Sequence, residues 1–416
     1  MLMSFDDYRL ASSRTYQLSS FPGFQNYNYR RSAVRKNRHM DFDLTPEQRL
    51  LKRSARELLK KECPPSLIRE FKDDARGYPA ALWNHMADLG WTGVMIPEKY
   101  GGTGGSFLDL CILLEAMGEV CCPGPFFSTV VLGAAALMRA GTEAQNEFML
   151  PRVADGDVIL ALAVTEPGMW YDTENIRLAA DIDGEDCILD GTKLFVANAH
   201  LADYIICAAR THASGPPAEG LTLFLVDTKS PGIKCRVMKS LAYDKQCEVV
   251  FDGVRVPRDN ILGEINRAGA GLESLRQRAA VAKCAELVGC IQAAFDMTVA
   301  YARQRRQFGR PIGSFQAVQH HCTNMAVDVA GARFLTFQAA WKISQGHDAG
   351  KAASMAKAWI SGAARRVTSL AHQIHGAISF TEDCDVHLYY RRAKAGEVAW
   401  GDAAYHLEQV ARHLGL

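Results

Sequence analysis

The stretch Tyr301-Ala-Arg-Gln-Arg-Arg-Gln-Phe-Gly-Arg-Pro-Ile-Gly-Ser-Phe-Gln316 gathers groups that could grip a ligand. A guanidinium such as that of Arg305 can fork onto phosphate, and a ring such as Phe308 can pack on a flat heterocycle. Part of the stretch has a structural reading. Arg305 and Arg306 suit the negative end of a helix dipole in a last turn. Gly309 is placed for a left-handed helix cap, Pro311 cannot continue the helix, and Ser314 can cap a helix beginning near Phe315. Gln307, Phe308 and Gln316 are left without a structural reason. Nearer the C-terminus, the carboxylates Glu397 and Asp402 flank Trp400. Each could move a proton; equally, Glu397 could be solvated and Asp402 could cap a last helix. His320 and His321 are adjacent, so on a helix they point about 100° apart and cannot jointly grip a metal. No Cys-x-x-Cys pair occurs, which leaves no zinc or dithiol motif. No Ser-His-Asp or Cys-His constellation can be assembled from spacing.

The Arg305–Gln316 stretch resembles the Arg-x-x-Phe-Gly…Phe-Gln segment of the acyl-CoA dehydrogenase family. The resemblance implies that Arg305, Gln307 and Phe308 reach across a subunit interface to the pyrophosphate and adenosine end of FAD, with Gln316 closing the motif. Four further segments match in order. Val164-Thr-Glu-Pro-Gly-Met-Trp-Tyr-Asp172 is similar to the family's loop against the flavin; Thr165 and Asp172 match, while Trp170 and Tyr171 replace glycine and serine. Gly191-Thr-Lys-Leu-Phe-Val-Ala-Asn198 resembles the strand lining the isoalloxazine ring. There Phe195 replaces a tryptophan, and Ala197 replaces the threonine whose hydroxyl approaches flavin N5. Phe251-Asp-Gly-Val-Arg-Val-Pro257 resembles the exit from the family's β domain. Gln373-Ile-His-Gly-Ala-Ile-Ser379 resembles the motif that receives the neighbour's FAD, matching at Gln373 and Gly376. His375 within it is read as a hydrogen-bonded structural histidine or a cofactor contact. The usual catalytic glutamate falls on Trp400 and the alternative base position near Ala279, neither of which can take a proton. The resemblance therefore directs attention to Glu397, one helical turn before Trp400 if the segment is helical, and to Asp402.

These groups need elements to hold them. From Thr45 to about residue 140 the pattern is helical: Thr45-Pro-Glu-Gln opens a helix with a cap, an N1 proline and an early acid. Pro79 to Leu89 reads as a second helix. The glycine-rich Gly93–Gly104 loop lacks the lysine of a phosphate-binding loop; by resemblance it shapes the acyl pocket. From Val158 to about Leu262 short apolar runs are punctuated by Asp183-Gly184, Asp190-Gly191 and Asp252-Gly253, read as turns. This predicts an antiparallel β-barrel or sandwich. From Gly269 onward four helices with short links predict a four-helix bundle. The expected class is α+β with several domains: residues 40–157 helical, 158–265 β, 266–416 helical. Residues 1–39 carry arginine without apolar periodicity. They read as a disordered tail or a leader ahead of a start at Met40, with a transit peptide as the alternative.

A net charge of +1 points away from nucleic acid, and no apolar run reaches the roughly 18 residues needed to span a membrane. Among the twelve cysteines, Cys284 and Cys290 sit in a helical run and Cys207 in a strand-like run, so buried thiols of a reducing compartment are the default reading. The expectation is an FAD-dependent acyl-CoA dehydrogenase that acts on an acyl-CoA and passes electrons to an electron-transfer flavoprotein, without a metal. It would be a homodimer or homotetramer in a bacterial cytoplasm, in preference to a mitochondrial matrix. Its bulky replacements suggest a branched or cyclic acyl group. Two alternatives stand beside it: a non-catalytic subunit of a heteromeric acyl-CoA dehydrogenase, since the family's heteromeric branch pairs a complete subunit with one lacking the base, and an oxygen-using flavin relative.

Overall fold

In the computed structural model, which describes residues 43–212 and 219–416, Thr45 starts the first helix as its neighbours predict. Its hydroxyl accepts from Gln48 N while the Gln48 side chain returns to Thr45 N, closing a capping box ahead of α1 (Pro46–Glu62). The reading of the N-terminal stretch lies outside the described residues. Next come α2 (Pro65–Phe71), α3 (Ala80–Asp88) and α4 (Phe107–Glu119), the last opened by a second box between Ser106 and Asp109. A π-helix, Phe127–Ala134, runs into α5 (Ala135–Ala140), and α6 (Glu143–Ala154) completes this part.

The β region contains β1 (Leu160–Ala163), β2 (Ala179–Asp183), β3 (Asp186–Ala197), β4 (Tyr204–Arg210), β5 (Leu221–Asp227), β6 (Ile233–Met238), β7 (Gln246–Pro257) and β8 (Ile261–Leu262). Their order is β6-β7-β3-β2-β4-β5-β8, with β1 beside β4. Most pairings are antiparallel as expected, but β1 and β2 each run parallel to β4. Asp183-Gly184 is a hairpin turn. Asp190-Gly191 and Asp252-Gly253 are not turns: they face each other inside β3 and β7, where the register slips between Leu189↔Val254 and Gly191↔Phe251. Turn-like residues thus serve a bulge that kinks one continuous pair of strands. β4 and β5 are buried on both faces. Ile206, Ala208, Leu223 and Leu225 turn toward the helical core, while Cys207, Phe224 and Val226 turn into a second core within the β domain.

The C-terminal part is α7 (Gly269–Gln304), a hairpin of β9 (Arg306–Gln307) and β10 (Arg310–Pro311), α8 (Gln316–Ser344), α9 (Gly350–His375), α10 (Val386–Val398) and α11 (Ala403–His413). Five helices stand where four were expected, because α10 follows α9 after a short 3-10 turn. α4 and α7 cross in contact at two glycines. A Cβ on Gly118 would lie 1.9 Å from Glu286 O, and one on Gly289 would lie 1.9 Å from Glu115 O. This close crossing fixes α7, and with it the helix face turned to the site.

Candidate functional site

The loop at Thr165 and the end of β3 form one rigid surface. Lys193, fully buried, donates to Glu166 at 2.7 Å and to Val164 O at 3.0 Å. The other partners of Glu166 are the N–H groups of Arg177 and Leu178, at 2.8 and 2.9 Å. A buried ion pair holds its place when its remaining hydrogen bonds are satisfied, as here. Leu194 N donates to Thr165 O at 2.8 Å, tying the loop to the strand. Between Lys193 and Val196 the ladder bulges, and Phe195 adopts φ 55° with 58% of its surface exposed. Ala197 follows on the same surface. Asn198, at φ 58°, donates from its side chain to Ser128 Oγ at 3.2 Å. An exposed aromatic in left-handed backbone is strained, and the lock beneath it sustains that strain. Glu166 and Lys193 were within the quoted motifs, yet only the fold shows why both are there.

A second surface carries the candidate acids. Glu397 lies in the last turn of α10, its carboxylate 2.7 Å from Lys394 and 3.9 Å from Arg365. It does not share a helix face with Trp400: α10 ends at Val398, Ala399 is extended, and Trp400 sits at φ 61° beside Gly401 at φ 104°. Asp402 caps α11, accepting from Tyr405 N at 2.8 Å. Both carboxylates lie near Tyr171, whose phenol is pushed up by burial first and then by Asp402 and Glu397. Tyr171 touches Trp170 and Tyr405, with ring centroids 6.2 and 5.2 Å away. Trp400 is partly buried against the helical core, and Ala279 is fully buried.

Two residues that sequence reasoning missed hold this turn. Lys357 of α9 is fully buried and donates to Ser361 Oγ, Glu397 O and Gly401 O at 2.9, 2.9 and 2.6 Å. Burial pulls its ammonium down to about 8. The buried ring of His406 makes a 2.9 Å hydrogen bond from Nε2 to Trp400 O, and burial lowers its pKa to about 4. A lone lysine in an alanine-rich helix gives no sequence signal, because two of its three acceptors, Glu397 O and Gly401 O, are about 40 residues away in the chain.

The hairpin is the third surface. α7 ends at Gln304 and Arg305 is already extended, so the arginines do not close a helix as expected. Phe308 and Gly309, at φ 52° and 79°, make the two-residue turn between β9 and β10. Two successive positive φ values are what a type I′ hairpin turn requires, and glycine meets that need more easily than it caps a helix here. Ser314 does not cap α8; its hydroxyl donates to Pro311 O at 2.7 Å, because Phe315 occupies the cap position. Arg305 and Gln307 are exposed, and Phe308 is 91% exposed, its ring edge-on to Phe315 with centroids 6.1 Å apart. Gln316, in the first turn of α8, is also exposed. At the end of α9, Gln373 is exposed and Gly376 adopts φ 69° and ψ −146°, with open space where a Cβ would project. His375 is a structural residue: buried, bonded from Nδ1 to Ala371 O at 2.8 Å and stacked on Tyr301 at 4.4 Å.

These groups fit FAD. Exposed guanidinium and ring groups on the hairpin suit its phosphates and adenine, and the Thr165–Phe195–Ala197 surface suits its isoalloxazine. Among the described residues no group of three or more His, Cys, Asp or Glu could hold a metal; all twelve cysteines are unpaired, and Cys235 on β6 is exposed where a buried thiol was expected.

Comparison with known proteins gives matches along nearly the whole described chain. The N-terminal, middle and C-terminal domain models of acyl-CoA dehydrogenase match residues 45–157, 161–254 and 273–415. Acryloyl-CoA reductase (NADH) of Anaerotignum propionicum is 31% identical over 389 residues, covering 92% of this chain and 98% of the relative. Butyryl-CoA dehydrogenase from Megasphaera elsdenii superposes with a TM-score of 0.85 at 28% identity, covering 91% of this chain and 100% of that one. A chain of the ChsE4-ChsE5 complex from Mycobacterium tuberculosis superposes with a TM-score of 0.82 at 28% identity, covering 90% and 99%.

Proposed function

The chain belongs to the acyl-CoA dehydrogenase family of FAD-binding oxidoreductases acting on CH–CH bonds, and on that premise we propose that it oxidises a branched or cyclic acyl-CoA at Cα–Cβ. Electrons then pass to an electron-transfer flavoprotein. The observation that supports this reading is the Lys193–Glu166 lock, which holds Thr165 beside the Phe195–Ala197 end of β3; we assign that surface to the flavin. FAD bound there supplies the hydride acceptor. The protein's part is to hold the thioester against that surface and to take a proton from Cα. Of the two candidate bases, Asp402 already serves as a helix cap, so Glu397 is preferred, released from Lys394 when substrate arrives.

A second reading has its own support: by resemblance the family's two base positions fall on Trp400 and near Ala279, neither of which can take a proton. A homologous partner subunit would then complete the reaction, and the similar ChsE4-ChsE5 structure is a complex. The test is to purify the protein alone and add acyl-CoAs without oxygen. Bound flavin that bleaches supports a self-sufficient dehydrogenase. Flavin that stays oxidised with every acyl-CoA, and bleaches only after a homologous subunit is added, assigns the chain to the heteromer.

A further inference from the structure

Four charged side chains unused by the chemistry above meet between the π-helix, α7, α10 and the turn before β7. Lys283 and Glu286, one turn apart on α7, form an ion pair, and Arg392 of α10 stands 3.7 Å from the same carboxylate. Lys283 Nζ lies 4.0 Å from the centre of the Phe127 ring. Asp244 completes the set, accepting from Ser240 Oγ and, at 2.6 Å, from Gln246 Nε2. Burial works to raise the Asp244 carboxyl, but Arg392, these hydrogen bonds and Lys283 keep it low. The side chains of Lys283, Glu286 and Arg392 are 15%, 11% and 14% exposed.

The cluster borders the reaction site from two sides. Lys283 follows Ala279 by four residues, so it lies on the same face of α7 and about 6 Å further along. Gln246, which carries Asp244, is the ladder partner of Ala197. Ser128, next to Phe127, receives the Asn198 side chain. Charged groups taken from water are costly, and apolar residues of equal volume would be as stable. A pocket for plain hydrocarbon would be lined by apolar groups. Here two cations and two carboxylates cancel, and Arg392 Nε is buried without a hydrogen-bond partner.

We propose that the distal part of the acyl group ends against this cluster, which binds an uncharged oxygen on it, a hydroxyl or a ketone. The inference rests on the acyl-CoA reading above and deepens it. A donor with no partner calls for an acceptor. The balanced charge disfavours a carboxylate, which would leave an unpaired negative charge beside the cluster.

The test uses the flavin-loaded protein, or its complex if it is heteromeric, and reads binding from the shift of the flavin absorbance. The ligands are hexanoyl-CoA, its ω-hydroxy analogue and adipoyl-CoA. Wild type is expected to bind the hydroxy analogue about tenfold more tightly than hexanoyl-CoA, the worth of one hydrogen bond to a charged group. Arg392→Met should erase that preference. The double variant Arg392→Met/Glu286→Met removes one cation with one carboxylate and leaves no lone charge, so it should fold and favour hexanoyl-CoA. Equal or tighter binding of hexanoyl-CoA by wild type overturns the proposal. So does tightest binding of adipoyl-CoA, or a preference unchanged in the double variant. If no acyl-CoA shifts the flavin at all, the acyl-CoA reading itself fails.

Discussion

Trp400 sits in left-handed backbone, in a turn between α10 and α11. Left-handed backbone at a tryptophan costs on the order of 1–3 kcal/mol. His406, Lys357 and Gly401 together hold the turn in place; a Cβ on Gly401 would come within 2.5 Å of His406 Nε2. If Glu397 is the base, Glu397→Gln should slow anaerobic flavin reduction by about 10²-fold or more with flavin content unchanged. Asp402→Asn should leave that rate nearly intact, since an asparagine caps α11 about as well. Trp400→Glu separates the two readings. It should raise the reduction rate at least about 10²-fold if the chain lacks a base of its own, and far less if Glu397 already acts. Stopped-flow absorbance of the three variants and wild type decides between them. The sequence alone reaches the choice between Glu397 and Asp402 and the reading of Asp402 as a helix cap, but not Arg365, which folding brings to Glu397 from α9.

At the scale of elements, capping signals are the most legible. Thr45 with Gln48 and Ser106 with Asp109 act within one turn of chain, so local residues determine them. The misread places are those where one residue type serves two geometries. Asp-Gly pairs mark turns and bulges alike, and Gly309 before Pro311 suits a helix cap or a hairpin. The parallel pairing of β1 with β4 depends on partners distant in sequence and left no mark on either strand. The junction of α10 and α11 carries a pH prediction. His406 has a pKa near 4 in the folded chain against an ordinary 6.5. Between those values the unfolded chain holds a proton that the folded chain does not, so stability rises with pH across the window and is lost as pH falls through it. Charging the ring there would set it beside Lys357 and Arg276, with Asp402 a weaker compensation. The loss should approach about 3 kcal/mol at the acid end. His406→Gln keeps a donor for Trp400 O without titrating, so its Tm should fall less steeply than wild type between pH 6.5 and 4. The hairpin gives the opposite kind of trade. Phe308→Gly relieves left-handed strain and should leave the flavin-free Tm unchanged or raised, while flavin content drops. A lower Tm with full flavin would make Phe308 a structural residue.

For the whole molecule, the question is whose cofactor the hairpin serves. Phe308 is almost wholly exposed at the tip of a short hairpin, and Arg305 and Gln307 project beside it. Exposed apolar side chains also mark α8 and α9: Val327, Phe334, Met355 and Trp359 are 61%, 56%, 38% and 41% exposed. Large apolar surface of this kind is usually covered by another subunit. The proposal is a two-fold assembly in which each hairpin reaches the neighbour's FAD, and such symmetry makes a mixing experiment decisive. One variant, Arg305→Ala/Phe308→Ala, loses the hairpin contribution. The other, Ala197→Trp, fills the isoalloxazine surface with bulk. Each alone should fold, as its flavin-free Tm would show, and retain little flavin. Unfolded together and refolded, half of the dimers pair unlike chains by chance. Each such dimer rebuilds one sound site from the intact strand of the first chain and the intact hairpin of the second, so about one quarter of all sites should recover FAD. If each hairpin serves its own chain, every site in the mixture stays defective and no flavin returns. Flavin fluorescence after gel filtration, with dimer formation confirmed in the same run, reads the difference directly.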